Sequence, residues 1–467
     1  MKKISKIFCL ILVFMFINTS CVKRRIDYLE ARKNNGNTDF FDFNQDKEEF
    51  DPDNIDKFDA STYLIWYKNL DKPPKLMLKE PTKAKTLTNK EMVEDFNYVF
   101  KQLKENYPFF DVLKRSQNVD FLGNYDKYLQ RIKKSKNEEE FIDQMTGIIG
   151  ELKNSHARIA DKNYVDYILK YYANNWNSPS IYYEFLNLNK TAVRNRYDLK
   201  GVQSLEKSKG NKHKSLSLLE NNSSSNMTLD TSVKDIAIIR IKQMLDPEFI
   251  KKDEEILNEF LKNKHLYKAL VLDIRGNYGG NMEYWQKFLL PKLFTSQKEV
   301  TNHLFFKESE RSKLILADDT LNIEKVSNVD LSAIKLEHAE DLKKFDYYIR
   351  NTIVINPDES DKNNGYEGKI YLLVDRKVFS AAEGFASFMK NSKSATLVGQ
   401  DTGGDGITLG VLNDVMPNSG LVFTYTNTLG YSPDGKINAE DKTKVDIKSD
   451  SYRNSIDTIE EVLDGDF

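Results

Sequence analysis

Four short apolar runs in the C-terminal half constrain the fold of this 467-residue chain more than any other feature: Ile236–Ile241, Ala269–Ile274, Ile370–Val374 and Thr396–Val398. Each is of strand length, and helical spacing lies between them over 251–264 and from Ser380 to about Met389. Ala269–Ile274 and Ile370–Val374 are apolar without alternation, the pattern of strands covered on both faces. Strands alternating with helices predict an α/β core, placed over 231–467.

Upstream the pattern changes. Thr88 to Glu91 matches a capping box. The apolar residues that follow, Met92, Val93, Phe96, Val99, Phe100 and Leu103, repeat at helical spacing, and Pro108 ends the helix. Phe141, Ile142, Met145, Ile148, Ile149 and Leu152 predict a second helix, so 87–160 reads as a helical domain ending at Ser155-His156. Residues 21–86 are polar and read as a tether, within which Tyr63, Trp66 and Tyr67 can dock locally. Residues 161–230 form an intermediate region whose later part, 203–227, is a Lys/Ser/Asn-rich linker.

The N-terminus reads as a targeting segment over 1–20. Lys2, Lys3 and Lys6 precede an unbroken apolar run from Ile7 to Ile17, too short to span a bilayer but of the length of a signal core. It closes on Asn18-Thr19-Ser20-Cys21. Small residues before a Cys resemble a lipoprotein signal, in which Cys21 is acylated. The alternative is an ordinary cleaved signal with a chance Cys. Cys9 is the only other cysteine, so the processed chain has no internal disulfide. The formal net charge of −2 excludes a broad basic field for nucleic acid.

Three segments carry candidate chemistry. Ser380-Ala381-Ala382-Glu383 is either a plain capping box or a serine nucleophile at the positive end of a helix, with the Ala381 amide facing an oxyanion. Asp273-Ile274-Arg275-Gly276-Asn277-Tyr278-Gly279-Gly280 ends a buried strand in three glycines. That suits an oxyanion hole, a tight turn or a phosphate loop, but not a Rossmann or Walker motif. Among five histidines, His156 follows an amphipathic helix and is the candidate base, with a structural role as the alternative. No metal or cofactor motif is present.

Taken together and in order, Leu152–His156, Leu272–Gly280, Val374–Glu383 and Val398–Gly404 resemble the C-terminal-processing (tail-specific) serine peptidases over about 87–160 and 231–450. The resemblance implies a crotonase/ClpP-like ββα catalytic core with an N-terminal helical domain. It implies no cofactor, and it makes Ser380 the nucleophile, with the Gly279 and Ala381 amides binding the oxyanion. In one branch of the family a Gly-Lys-Gly supplies the base. Here that stretch is Gly404-Asp405-Gly406, without the lysine. The chain is therefore similar to the tricorn-like branch, which uses Ser, His and a supporting Ser and Glu. This implies His156 as base and Ser155 as support. The fourth member is matched to Glu440, with Val445-Asp446 where that branch has Pro-Asp. The implied protein is a lipid-anchored envelope endopeptidase acting on exported polypeptides. The alternative is a non-catalytic peptide- or ligand-binding lipoprotein on the same scaffold.

Overall fold

The computed structural model describes residues 48–173, 178–203, 225–318 and 320–465. The predicted signal segment, Cys21 and most of the Lys/Ser/Asn-rich linker lie outside the described residues. Among those described, no helix is long and apolar enough to cross a membrane. Among the described residues the chain divides into two compact units, one drawn from 48–84, 168–203 and 313–318, the other from 85–167, 225–312 and 320–465.

The larger unit is built on a six-stranded sheet. Its order is Ile447–Lys448, Thr396–Gly399, Lys369–Val374, Ala269–Asp273, Ile236–Ile241 and Met227–Asp230. All neighbours are parallel except the last pair. The four apolar runs are thus adjacent strands. Their residues divide by strand alternation between two cores. Ala237, Ile239, Leu270, Leu272, Leu372 and Leu397 pack under the helices Lys251–Asn263 and Ala381–Asn391. Ile238, Val271, Tyr371, Leu373 and Val398 face the C-terminal helix Tyr452–Asp464 through Ile456 and Ile459. Both faces being covered explains why these strands lack polar alternation.

The predicted helices are present as Asn89–Asn106, capped reciprocally by Thr88 and Glu91, and Glu138–Gly150. Two more, Phe110–Gln117 and Tyr125–Lys133, lie between them. These helices are not a separate domain. Their apolar faces share one core with Phe423, Tyr425 and Tyr431 and with Phe305 and Tyr348 of a four-stranded sheet spanning 298–431. The decisive connection is small. The two-residue strand Arg158–Ile159 adds to the Val411–Val415/Val422–Thr426 hairpin, pairing Ile159 with Phe423 and Arg158 with Thr424. This fixes the loop before it, which carries Ser155 and His156.

The tether reading does not hold where the chain is described, from residue 48 onward, and its earlier part, 21–47, lies outside the described residues. From Glu49 onward the chain is folded in the smaller unit. Glu49–Phe50 pairs in parallel with Lys75–Leu76, and the helix Ala60–Lys68 buries Tyr63 and Trp66. Trp66 stacks on Tyr182 of the helix Pro179–Leu188, and the Tyr63 hydroxyl donates to the Pro179 carbonyl at 2.9 Å. Aromatic residues at 3.6-residue spacing buried enough area here to order a segment whose remaining residues are polar.

Candidate active site

The nucleophile candidate sits on a sharp strand-to-helix turn. After the strand Lys369–Val374 the chain turns through Asp375–Phe379, and the helix Ala381–Asn391 begins one residue past Ser380. Ser380 has φ 55° and ψ −126°, a conformation that costs a non-glycine residue about 1–3 kcal/mol. Its hydroxyl makes no capping bond, so the Ser-x-x-Glu pattern is not a capping box here. Instead Ser380 Oγ lies 3.0 Å from His156 Nε2 across 224 residues of sequence.

His156 is almost buried and held from several sides. Its backbone amide donates to Asn154 Oδ1 at 2.8 Å, its carbonyl accepts from Thr424 Oγ1 at 2.5 Å, and its ring lies against Phe379. Its Nδ1 is 2.8 Å from Asp405 Oδ2. A carboxylate can only accept, so Nδ1 carries the proton and Nε2 presents its lone pair to the Ser380 hydroxyl. Asn154 Nδ2 donates to the same Asp405 oxygen at 2.7 Å, fixing the carboxylate as well as the loop.

Asp405 lies in the Gly404-Asp405-Gly406 stretch, at the position where the resemblance implies a lysine in its other branch. The role was invisible from the residue type alone, because a carboxylate cannot act as a neutral amine. It serves a different geometry, behind the histidine. Its loop is anchored to the serine turn by a bridge between Phe379 and Gly404 and by the Gly403 amide on the Val378 carbonyl at 2.7 Å. A Cβ at Gly406 would collide with the Ser380 carbonyl and the Gly384 amide, so only glycine lets the loop close on the helix start. The Gly406 amide donates to Asn438 Oδ1 at 2.8 Å. Asn438 in turn donates to Glu383 Oε1 at 2.6 Å, and Thr443 Oγ1 donates to the same oxygen at 2.7 Å. Burial pushes the Glu383 carboxyl up to about 7.

Three expected roles fall elsewhere. Glu440 faces away from His156. It forms a bidentate pair with Arg115, at 3.0 Å to Nε and 2.6 Å to Nη2, and Arg115 also holds Asp341. Its neighbour Asn438 reaches the site instead. Ser155 is exposed and lines the cleft, and no hydrogen bond joins its hydroxyl to the histidine. Asp405 reaches Nδ1 directly and leaves no gap for a relay. The Gly279 amide donates to Asn277 Oδ1 at 2.9 Å and is not free to bind an oxyanion in this conformation. Gly279 is needed for space, since a Cβ there would meet Ser380 Cβ and the Ala381 nitrogen at 2.9 Å. The Ala381 amide is the first of its helix, so no intrahelical carbonyl accepts from it.

The model of peptidase family S41 matches residues 235–449, which span the core strands, the glycine turn, Ser380 and Asp405. Over those residues, somewhat under half of its length, the chain is similar to peptidase family S41. It is a serine peptidase with the mixed α/β fold expected of that family. Mature CPAF in complex with lactacystin is similar at 14% identity and a TM-score of 0.50, over 80% of this chain and 97% of that one. A peptidase from Parabacteroides merdae is similar at 15% identity and a TM-score of 0.49, over 80% and 96%. A lipoprotein from Streptococcus agalactiae is similar at 16% identity and a TM-score of 0.43, over 80% and 97%. No curated protein sequence matches the chain.

Proposed function

We propose that this serine peptidase is an endopeptidase of exported polypeptides working through Ser380, His156 and Asp405. The observation that carries the reading is the unbroken line from Ser380 Oγ to His156 Nε2 at 3.0 Å and from Nδ1 to Asp405 at 2.8 Å. In the proposed reaction Ser380 Oγ attacks the peptide carbonyl carbon and its proton passes to His156 Nε2. Asp405 stabilises the imidazolium that forms. The Ala381 amide faces the oxyanion, a contribution worth about 10²–10³ in rate for a single donor. The imidazolium then protonates the leaving amine, which departs and leaves an ester on Ser380. Water, giving its proton to His156, attacks that ester and releases the acid, and Ser380 regains its proton. The strained turn at Ser380 supports catalysis over a plain binding scaffold, because a ligand-binding cleft needs no serine held at positive φ.

A serine-reactive fluorophosphonate should label the wild type and leave Ser380→Ala unlabelled, with hydrolysis of an unfolded protein substrate lost in parallel. Equal turnover by both proteins removes Ser380 from the mechanism. The export reading rests on the sequence of residues 1–21. Cys21→Ala should move the protein from the membrane fraction to the soluble one, and retention in the membrane argues against acylation.

A further inference from the structure

Tyr107 carries a buried polar group that the mechanism has not used. It ends the helix Asn89–Asn106, it is fully buried, and its hydroxyl has no hydrogen-bond partner. A phenylalanine would fill the same space without leaving a buried polar atom unpaired, a condition folded proteins rarely tolerate. The segment is held firmly. The Tyr107 amide donates to the Leu103 carbonyl at 2.8 Å, and its carbonyl accepts from Lys307 Nζ at 2.9 Å. One residue earlier, Asn106 Oδ1 accepts from Ser309 Oγ at 2.6 Å. The ring stands edge-on to Phe109 and Phe110, with centroids 5.4 and 5.2 Å away.

The core that holds this ring runs beneath both loops of the histidine–aspartate pair. Leu152 and Ala157 belong to it and bracket the loop that carries His156. Ile437 belongs to it and precedes Asn438, on which the Gly406 amide rests. Among the described residues Asp405 is the charged group whose field acts on the Tyr107 hydroxyl, adding to the burial that keeps its proton on far above the ordinary range. The Asp405 carboxylate has room for such a donor. The hydrogen bonds it accepts, from His156 and Asn154, both end on Oδ2, and Oδ1 receives none among the described residues. The terminal torsion of an aspartate is soft, so donors on one oxygen alone leave the carboxylate able to roll away from Nδ1.

We propose that Tyr107 is a positioning residue of the triad, donating its hydroxyl to Asp405 Oδ1 as the site closes on substrate and so keeping Oδ2 on His156 Nδ1. The assignment rests on the peptidase reading above. Hydrogen bonds of catalytic groups are often long in a substrate-free site and tighten once substrate is bound. The gain is largest when His156 carries its second proton, because a carboxylate that cannot turn holds the imidazolium best. Tyr107 is fully buried and does not reach substrate, so its effect falls on kcat and not on KM.

Tyr107→Phe removes the hydroxyl and keeps the ring. A fall of about tenfold in kcat on a fluorogenic peptide is expected, with KM and the melting temperature unchanged. Introduced into the Asp405→Asn protein, the same change should lower the residual rate by less than about twofold, since the carboxylate it orients is gone. A merely structural hydroxyl gives the opposite pattern, a lowered melting temperature with kcat intact, and that result overturns the proposal. An unfolded Tyr107→Phe chain overturns it too, by assigning the hydroxyl to the fold. So does a loss of about tenfold that recurs in full on the Asp405→Asn background. Turnover by Ser380→Ala and Asp405→Asn reads the triad separately. If both lose turnover and Tyr107→Phe keeps it, the positioning role falls and the triad stands. If neither loses turnover, the peptidase reading falls, and the positioning role with it.

Discussion

Two segments close on the serine turn from the C-terminal side, and each offers an acid. The loop 402–406 carries Asp405, and the short helix Asn438–Asp441 carries Glu440. In chain order Glu440 has the position expected of a supporting acid, and Asp405 has the position of a missing lysine. In space the assignments reverse. Asp405 is buried against His156 Nδ1, whereas Glu440 satisfies Arg115 at the edge of the helical layer. The difference teaches that an acid's role is set by the donor its backbone aims it at. Asp405 is aimed by a left-handed turn, with φ 86° at Gly404 and 56° at Asp405, and by Gly406 closing on the helix start. Glu440 lies on a helical turn whose inward residue is Asn438, and it therefore points outward.

Substitutions can break or sharpen this contrast. The largest effect is expected at the shared target of both segments. Ser380→Ala should lower kcat by about 10⁶, measured on a fluorogenic peptide, with an unchanged melting profile. Asp405→Asn keeps the shape of the side chain but allows the wrong histidine tautomer. A fall of about 10⁴ in kcat with little change in KM is expected. A loss below tenfold would return the role to another acid.

Glu383 tests how the two segments are joined, since its carboxylate receives Asn438 and Thr443 from one of them beneath the nucleophile's helix. Its pKa is raised from an ordinary 4.5 to about 7 by burial. The folded chain thus holds that proton more tightly than the unfolded chain does. The resulting stability is complete below the unfolded value and is lost as pH rises from 4.5 toward 7, by about 3 kcal/mol. Glu383→Gln should flatten that loss in urea unfolding at about pH 5 and about pH 8. An unchanged slope would assign the pH dependence to other groups. The smallest effect is expected at Glu440. Glu440→Gln should leave kcat/KM within about threefold and cost about 1 kcal/mol through the partly exposed Arg115 pair. A drop of a hundredfold or more would reinstate it beside His156.

The sequence was most legible where local chemistry and tertiary environment agree. Runs such as Ala269–Asp273 and Ile236–Ile241 have one stable use, as strands covered on both faces, and they appear in that form. The Thr88–Glu91 box marks a helix start by local hydrogen bonds alone. Legibility failed where a local pattern had two uses. Ser380-x-x-Glu383 has the letters of a cap, yet the turn before it gives Ser380 a φ of 55°, away from the extended region typical of capping residues, and Glu383 turns into the core. Tyr63 and Trp66 lie in a polar segment, and only their burial against 179–188 turns that segment into folded structure. The Gly279 amide was readable as a free donor, since nothing in the order of residues shows that Asn277 would bend back to accept it.

The sequence by itself determined the strand and helix periods, the glycines that permit close approach, and the candidacy of Ser380 and His156 as nucleophile and base. The tertiary structure decided which acid stands behind the histidine. That choice depends on where two turns point after a sheet, a hairpin and a helical layer have packed, and hydrogen-bond direction at 2.8 Å is a property of that packing that residue order does not encode.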